Sequence, residues 1–357
     1  MKVVFRVDAS LQMGIGHVMR CLTLAEILKE NGANIEFICR KHEGNLIDKI
    51  HVNGFTVFGL ELLAENKVDN KLFHSHWLGT TQQQDARDCT NILRQTKVDW
   101  LIVDHYGIDE DWQQDLKDYY DKLMVIDDLA DRQHQCNILL DQTFGRQSKD
   151  YQALVPKSCE LLLGSQYALL RPEFTKWREY SLERRKHPEF KQLLINMGGI
   201  DPDNFTEQVL NEIQACSLPN DVEITIVMGG LSPHLESVKN KANSLPCKAK
   251  VKVDVDNMAE IMANSDFAIG AAGSTTWERC CLGLPSLLIV QAENQKTVAK
   301  YMELNKAALI VKTISNLGWI FKSSFIKGDT ELFNKITDSS SNIIDGTGAI
   351  RVLNKFY

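Results

Sequence analysis

The chain has 357 residues, 44% hydrophobic and 24% charged, which is too much for one ordinary core and enough for two. Its 47 acidic and 40 basic residues give a formal charge of −7 with no long Lys/Arg block, the densest being Arg184-Arg185-Lys186, so no nucleic-acid partner is expected. Nine cysteines without Cys-x-x-Cys spacing read as reduced thiols, not as a disulfide framework or zinc site.

The first residues reach Arg6 and Asp8 at once, leaving no apolar run for a signal peptide or span, and a cytoplasmic protein without a membrane partner is expected. Short apolar runs at 3–7, 35–39, 55–58, 100–103 and 123–126 predict strands, and amphipathic stretches such as 18–30 and 82–95 predict helices between them. Charge-rich residues 171–190, carrying Pro172 and Pro188, read as a linker with a solvated face. A second series of strands is predicted at 192–196, 222–227, 248–253, 267–269 and 286–290, with helices at 205–213 and 257–263. The expected class is α/β, with two Rossmann-like domains facing across a cleft in a GT-B-like arrangement. The first spans 1–170, the second follows the linker over 191–328, and 329–357 forms a C-terminal helical segment. Such sheets bind ligands beyond the carboxyl ends of their strands, so the chemistry is sought in those loops.

After the first strand comes Asp8-Ala-Ser-Leu-Gln-Met-Gly14-Ile-Gly16-His17, and then a helix. Gly14 and Gly16 allow a backbone that approaches a ligand closely at a helix N-terminus. His17, under the positive end of the helix dipole, is the first choice for a catalytic base, the alternative being a capping or partly buried histidine. Asp8 either orients that imidazole or ends the strand. Arg20, one turn on, reads as an anion ligand or a surface ion pair, and Cys21 as a core residue.

In the second half, residues 267–278 join a buried strand to a helix through Gly273, Ser274 and Thr275, donors suited to a diphosphate, with Glu278 placed to accept from ribose hydroxyls. The other reading is a Ser/Thr cap with Glu278 in a capping-box position. Gly198 and Gly199 follow the strand at 192–196 as a second phosphate wall or a tight turn. Met228-Gly229-Gly230 borders a base pocket, and Asn294 and Gln295 bring amides to the same edge. The acidic pairs Asp127-Asp128, Asp201-Pro-Asp203 and Asp254-Val-Asp256 read as caps or loop residues, since a hard cation needs several converging oxygens. His74-Ser-His76 reads as a surface loop. No metal site is expected.

Arg6-x-Asp8, Gly14-x-Gly16-His17-x-x-Arg20-Cys21, Asp104-His105-Tyr106-Gly107, Tyr167-Ala-Leu-Leu-Arg171-Pro172 and Met197-Gly198-Gly199 together resemble the UDP-2,4-diacetamido-2,4,6-trideoxy-β-L-altropyranose hydrolase family of pseudaminic acid biosynthesis. The wider relatives are GT-B nucleotide-sugar enzymes, and residues 270–295 resemble the UDP-binding segment of the peptidoglycan N-acetylglucosaminyltransferase. The resemblance implies attack of water on the anomeric carbon of a UDP-linked sugar, with inversion and loss of UDP, without cofactor or divalent metal. It implies His17 as the base and Tyr106 as a residue near the sugar. It further implies that Gly273, Ser274 and Thr275 stabilise the departing diphosphate, that Glu278 holds the ribose, and that the C-terminal helices pack on the first domain. A GT-B glycosyltransferase and a non-catalytic UDP-sugar binder are the competing readings, and the oligomeric state stays open.

Overall fold

Among the described residues, seven strands carry the first unit, and most are nearly continuous apolar runs, as strands covered on both faces require. They are β1 (Lys2–Val7), β2 (Asn34–Arg40), β3 (Thr56–Leu60), β4 (Val98–Asp104), β5 (Tyr120–Ile126), β6 (Ile138–Asp141) and β7 (Glu160–Leu163). All pair in parallel, in the order β3-β2-β1-β4-β5-β6-β7. The two-residue period of a strand divides the core: Phe5, Val7 and Ile102 face one helical layer, while Val4, Leu101 and Val103 face the other with Trp112. The computed structural model describes residues 1–62, 71–95, 97–216, 218–219, 221–323 and 329–357.

Among the described residues the second unit has six parallel strands, β8 (Gln192–Asn196), β9 (Glu223–Met228), β10 (Lys248–Val253), β11 (Phe267–Ala271), β12 (Ser286–Ile289) and β13 (Leu309–Val311), in the order β10-β9-β8-β11-β12-β13. Counted from its own first strand this is the 3-2-1-4-5-6 order of a nucleotide-binding sheet. The fold class expected of the chain, two parallel-sheet α/β domains, is therefore what it adopts. β6, β7 and β13, of three or four residues, were not among the predicted strands.

The units comprise Met1–Leu169 with Gly348–Tyr357, and Leu170–Thr347. The stretch expected to be a linker contains the helix Pro172–Arg184, which buries Phe174 and packs on helices Met258–Ala263 and Thr275–Cys281 within the second unit. Arg185, expected on a solvated face, is buried. Its guanidinium donates to the carbonyls of Met262, Ser265 and Leu282, at the ends of those two helices. Of the C-terminal segment, the helix Thr330–Ser341 belongs to the second unit, and Ala349, Val352 and Phe356 join the core of the first. The expected boundary at 328 falls outside the described residues. No described helix is long and apolar enough to cross a membrane.

Candidate active site

In each sheet the strand order reverses beside its first strand, between β1 and β4 and between β8 and β11, and a ligand crevice forms beyond the carboxyl ends at such a point. In the first unit Val7 at the end of β1 pairs in register with Asp104 at the end of β4. The loop that leaves β1 turns at Gly14, whose φ of +78° excludes most other residues, and enters the helix α1 (Gly16–Glu30).

His17, in the first turn of α1, places Nδ1 2.6 Å from Asp104 Oδ1. Asp104 is fully buried, and Arg20 grips it with both arms, Nε to Oδ2 at 2.6 Å and Nη2 to Oδ1 at 2.7 Å. Burial opposes ionisation of that carboxyl, but Arg20 and His17 outweigh burial and hold it well below the usual carboxylate range. An ionised acceptor at Nδ1 fixes the tautomer in which Nδ1 carries the hydrogen and Nε2 the lone pair. Nε2 has no hydrogen-bond partner among the described residues. The partner of His17 is thus Asp104, 87 positions away, and not Asp8.

Arg20, expected to be an anion ligand or a surface ion pair, is buried with its donors already engaged: Nη1 meets Asp128 Oδ2 at 2.5 Å. It holds Asp104 and Asp128 together beneath His17. Tyr106 donates its hydroxyl to the same Asp128 oxygen at 2.8 Å and presents its ring to the imidazole edge-on, with centroids 4.6 Å apart. Trp77 stacks on Tyr106 at 5.5 Å, and His74 lies 4.4 Å from Trp77, so His74 joins this aromatic cluster and is not a free surface loop. Burial pushes the His74 imidazole down to about 4, so it stays neutral.

Asp8 accepts from Arg6 Nη1 and from the backbone N–H of Arg40, each at 2.6 Å. Arg6 also takes Asp85 with two nitrogens, and Trp112 Nε1 donates to Asp85, making a fully buried ionic brace under β1 and β2. Cys21 is buried with its thiol pushed upward, first by burial and then by Asp104, which suits a core residue.

In the second unit β8 ends at Asn196 in register with Gly270 of β11. Gly198 turns at a φ of +99°, and Gly199 accepts from the N–H of Gly229 at 3.1 Å, so these glycines knit the loops after β8 and β9. After β11, the turn Gly273-Ser274-Thr275 leads into helix Thr275–Cys281. Ser274 is exposed and makes no side-chain cap, which removes the capping-box reading. The turn is braced from behind by Arg279, which sequence reasoning missed: it is buried and donates to Ala271 O at 2.7 Å and to Thr275 Oγ1 at 3.2 Å. Glu278 stands 3.9 Å from Arg171, and burial, partly offset by Arg171, raises its carboxyl. Gln295 accepts from the N–H of Gln291 at 2.9 Å and lies beside Gly273, while Asn294 is exposed at the start of helix Gln295–Leu304.

Among the acidic pairs, Asp201 caps the helix Phe205–Gln214 through the N–H groups of Phe205 and Thr206, and Asp254 accepts from Gly230 N–H. Asp127 pairs with Arg132, and Asp128 with Arg20.

Residues 193–320 match the glycosyltransferase family 28 C-terminal domain. The chain is 31% identical over 303 residues to the UDP-2,4-diacetamido-2,4,6-trideoxy-β-L-altropyranose hydrolase of Campylobacter jejuni, covering 85% of this chain and 96% of that protein. It is 30% identical to an uncharacterized protein of Methanocaldococcus jannaschii over 83% of its own length, and spans 57% of that longer protein. The MurG structure from Acinetobacter baumannii superposes with a TM-score of 0.69 over 99% of both chains at 15% identity, a likeness of fold.

Proposed function

The chain belongs to the family of the UDP-2,4-diacetamido-2,4,6-trideoxy-β-L-altropyranose hydrolase, and from that membership and the His17–Asp104 pair we propose that it cleaves this UDP-sugar with water. The products are UDP and free 2,4-diacetamido-2,4,6-trideoxy-L-altrose, an activity that belongs to pseudaminic acid biosynthesis. The observation that carries the reading is the 2.6 Å contact between His17 Nδ1 and Asp104, which leaves Nε2 as a proton acceptor.

Nε2 takes a proton from water as the water oxygen attacks the anomeric carbon opposite the diphosphate. The bond from that carbon to the phosphate oxygen breaks, its electron pair leaves with UDP, and the configuration inverts. Asp104 steadies the imidazolium so formed. The N–H groups of Gly273, Ser274 and Thr275 meet the charge that grows on the diphosphate, with no metal required, and Glu278 accepts from the ribose. Gly14 and Gly16 let the first loop approach the sugar, the backbone of Gly198 and Gly199 lines the phosphates, and the amides of Asn294 and Gln295 meet the sugar. In this scheme Tyr106 and Arg20 act through His17 and Asp104.

A UDP-sugar glycosyltransferase is the second reading, favoured by the family 28 domain over residues 193–320. Incubating the protein with the UDP-sugar in chelator, without acceptor, and following UDP and the anomeric proton by NMR separates the two. Hydrolysis predicts stoichiometric free sugar of inverted configuration. Binding without release in the absence of acceptor defeats it. His17→Ala is expected to abolish turnover while UDP still binds.

A further inference from the structure

Beneath the His17–Asp104 pair, the ends of β5 and β6 carry charges that the proposed reaction does not consume. Tyr151 Oη lies 2.7 Å from Asp127 Oδ2 and 2.8 Å from Asp141 Oδ2, with all three residues fully buried. A phenol has one hydrogen to donate, and two ionised carboxylates at that range need two. Loss of the phenol proton does not help, because burial and both carboxylates drive Tyr151 ionisation far upward. The hydrogen missing from the count has to sit on a carboxyl.

The charges give the same count. Four carboxyls, Asp104, Asp127, Asp128 and Asp141, are set among three guanidiniums. Arg20 holds Asp104 and Asp128. Arg132 meets Asp127 at 2.9 Å and also reaches the half-exposed Asp131. Arg146 donates Nε to Asp141 Oδ2 at 2.5 Å and Nη2 to the carbonyl of Asp128 at 2.6 Å. His134, the other titratable group near Asp127, is pushed by burial down to about 4 and adds no charge at neutral pH. Fully ionised, these four carboxyls, of which Asp128 alone is partly exposed, and three guanidiniums leave one unbalanced negative charge, and such a site neutralises by taking up a proton.

We propose that Asp141 holds a proton at neutral pH, donating it to Tyr151 Oη while Tyr151 donates to Asp127, and that this stored proton sets the charge felt by His17. Asp141 is the carboxyl to hold it, since burial and then Asp128 push it up against the opposing pull of Arg146, whereas Arg132 holds Asp127 down against burial. The connection is continuous: Asp141 to Arg146, Arg146 to the Asp128 carbonyl, Asp128 to Arg20, Arg20 to Asp104, and Asp104 to His17. When Asp141 loses its proton, one more negative charge stands behind that chain and the His17 imidazolium becomes easier to form. Asp141 is thus a positioning residue that tunes the base. The kinetic half of this rests on the proposed role of His17, and the location of the proton does not.

Difference infrared spectroscopy of the intact protein, titrated between about pH 5 and 9, reads the C=O stretch of a protonated carboxyl directly. The wild type is expected to show one such band at neutral pH that is lost on alkalinisation and is absent from Asp141→Asn. Asp127→Asn keeps the test decisive if Asp141→Asn does not fold: with Asp127 uncharged, Asp141 no longer needs the proton, and the midpoint falls by about one pH unit or more. No band at neutral pH in the wild type, or a band that neither substitution changes, overturns the proposal. In the pH profile of kcat/KM for UDP release, Asp141→Asn is expected to remove one ionisation near neutrality, with the UDP dissociation constant unchanged. A profile identical to the wild type refutes the tuning. A wild type without turnover defeats the hydrolase reading and leaves the infrared result standing.

Discussion

Asp104 is the residue on which the reading of His17 turns, and it can be tested without removing His17. Asp104→Asn keeps the shape, but an amide can present its NH2 to Nδ1 and favour the wrong tautomer, and it releases one grip of Arg20. Turnover is expected to fall roughly 10²- to 10⁴-fold, with UDP binding retained; unchanged kcat would mean that Asp104 does not orient the base. Tyr106 separates ring from hydroxyl. Tyr106→Phe loses a single bond to the Asp128 carboxylate, expected to cost roughly tenfold in kcat, whereas Tyr106→Ala also removes the ring that supports the imidazole and is expected to cost much more. Equal losses in the two variants would place the hydroxyl itself in the reaction. His17 drew attention by its place after the first strand, and Tyr106 only through the family resemblance. Asp104 was in view in its own motif, but what joins it to His17 is the adjacency of β1 and β4, which no spacing in the chain expresses.

At the scale of elements, the turn after β11 depends on what lies behind it. A Cβ on Gly270 would stand 2.5 Å from Arg279 Nη1 and 2.8 Å from the Asn196 carbonyl, so Gly270→Ala has to displace the side chain that braces Ala271 and Thr275. The expected cost is about 1–3 kcal/mol of stability, with weaker UDP binding by calorimetry. Gly273→Ala meets only Gln295 Nε2 at 3.7 Å. It should leave stability within about 0.5 kcal/mol and yet weaken UDP binding, since the added methyl enters the space that the proposed reaction gives to the diphosphate. If both variants bind UDP like the parent, the phosphates sit elsewhere. Short apolar runs made ten strands legible. β6, β7 and β13, of three or four residues, set no period of their own. Arg185 escaped for another reason: a run of basic residues reads as solvated unless one knows that two helices end against it.

For the molecule as a whole, charge burial is uneven between the two units, and so is the expected response to acid. In the first unit Asp8, Asp104 and Asp127 are fully buried, and burial, which opposes their ionisation, is outweighed by cationic partners that hold them below the ordinary carboxylate value; Asp85 is lowered in the same way. Each therefore contributes stability that is complete above the unfolded value of about 3.9 and is lost as pH falls through the lower folded value. Asp141 has the opposite sign: raised to about 7, it contributes most below the unfolded value and loses that contribution as pH rises toward neutrality. In the second unit the lowered carboxyls, Glu207 and Glu223, are only partly buried and solvent screens them, so they add little. The first unit is thus expected to lose stability below about pH 4 well before the second. Phe356→Ala identifies its transition in a calorimetric scan, because Phe356 packs on Trp100 at 4.7 Å in the first core and its removal should cost that unit about 3 kcal/mol. The transition that Phe356→Ala moves at neutral pH should be the one that collapses first on acidification. If the other transition moves first, the buried aspartates are not what ties the first unit to pH.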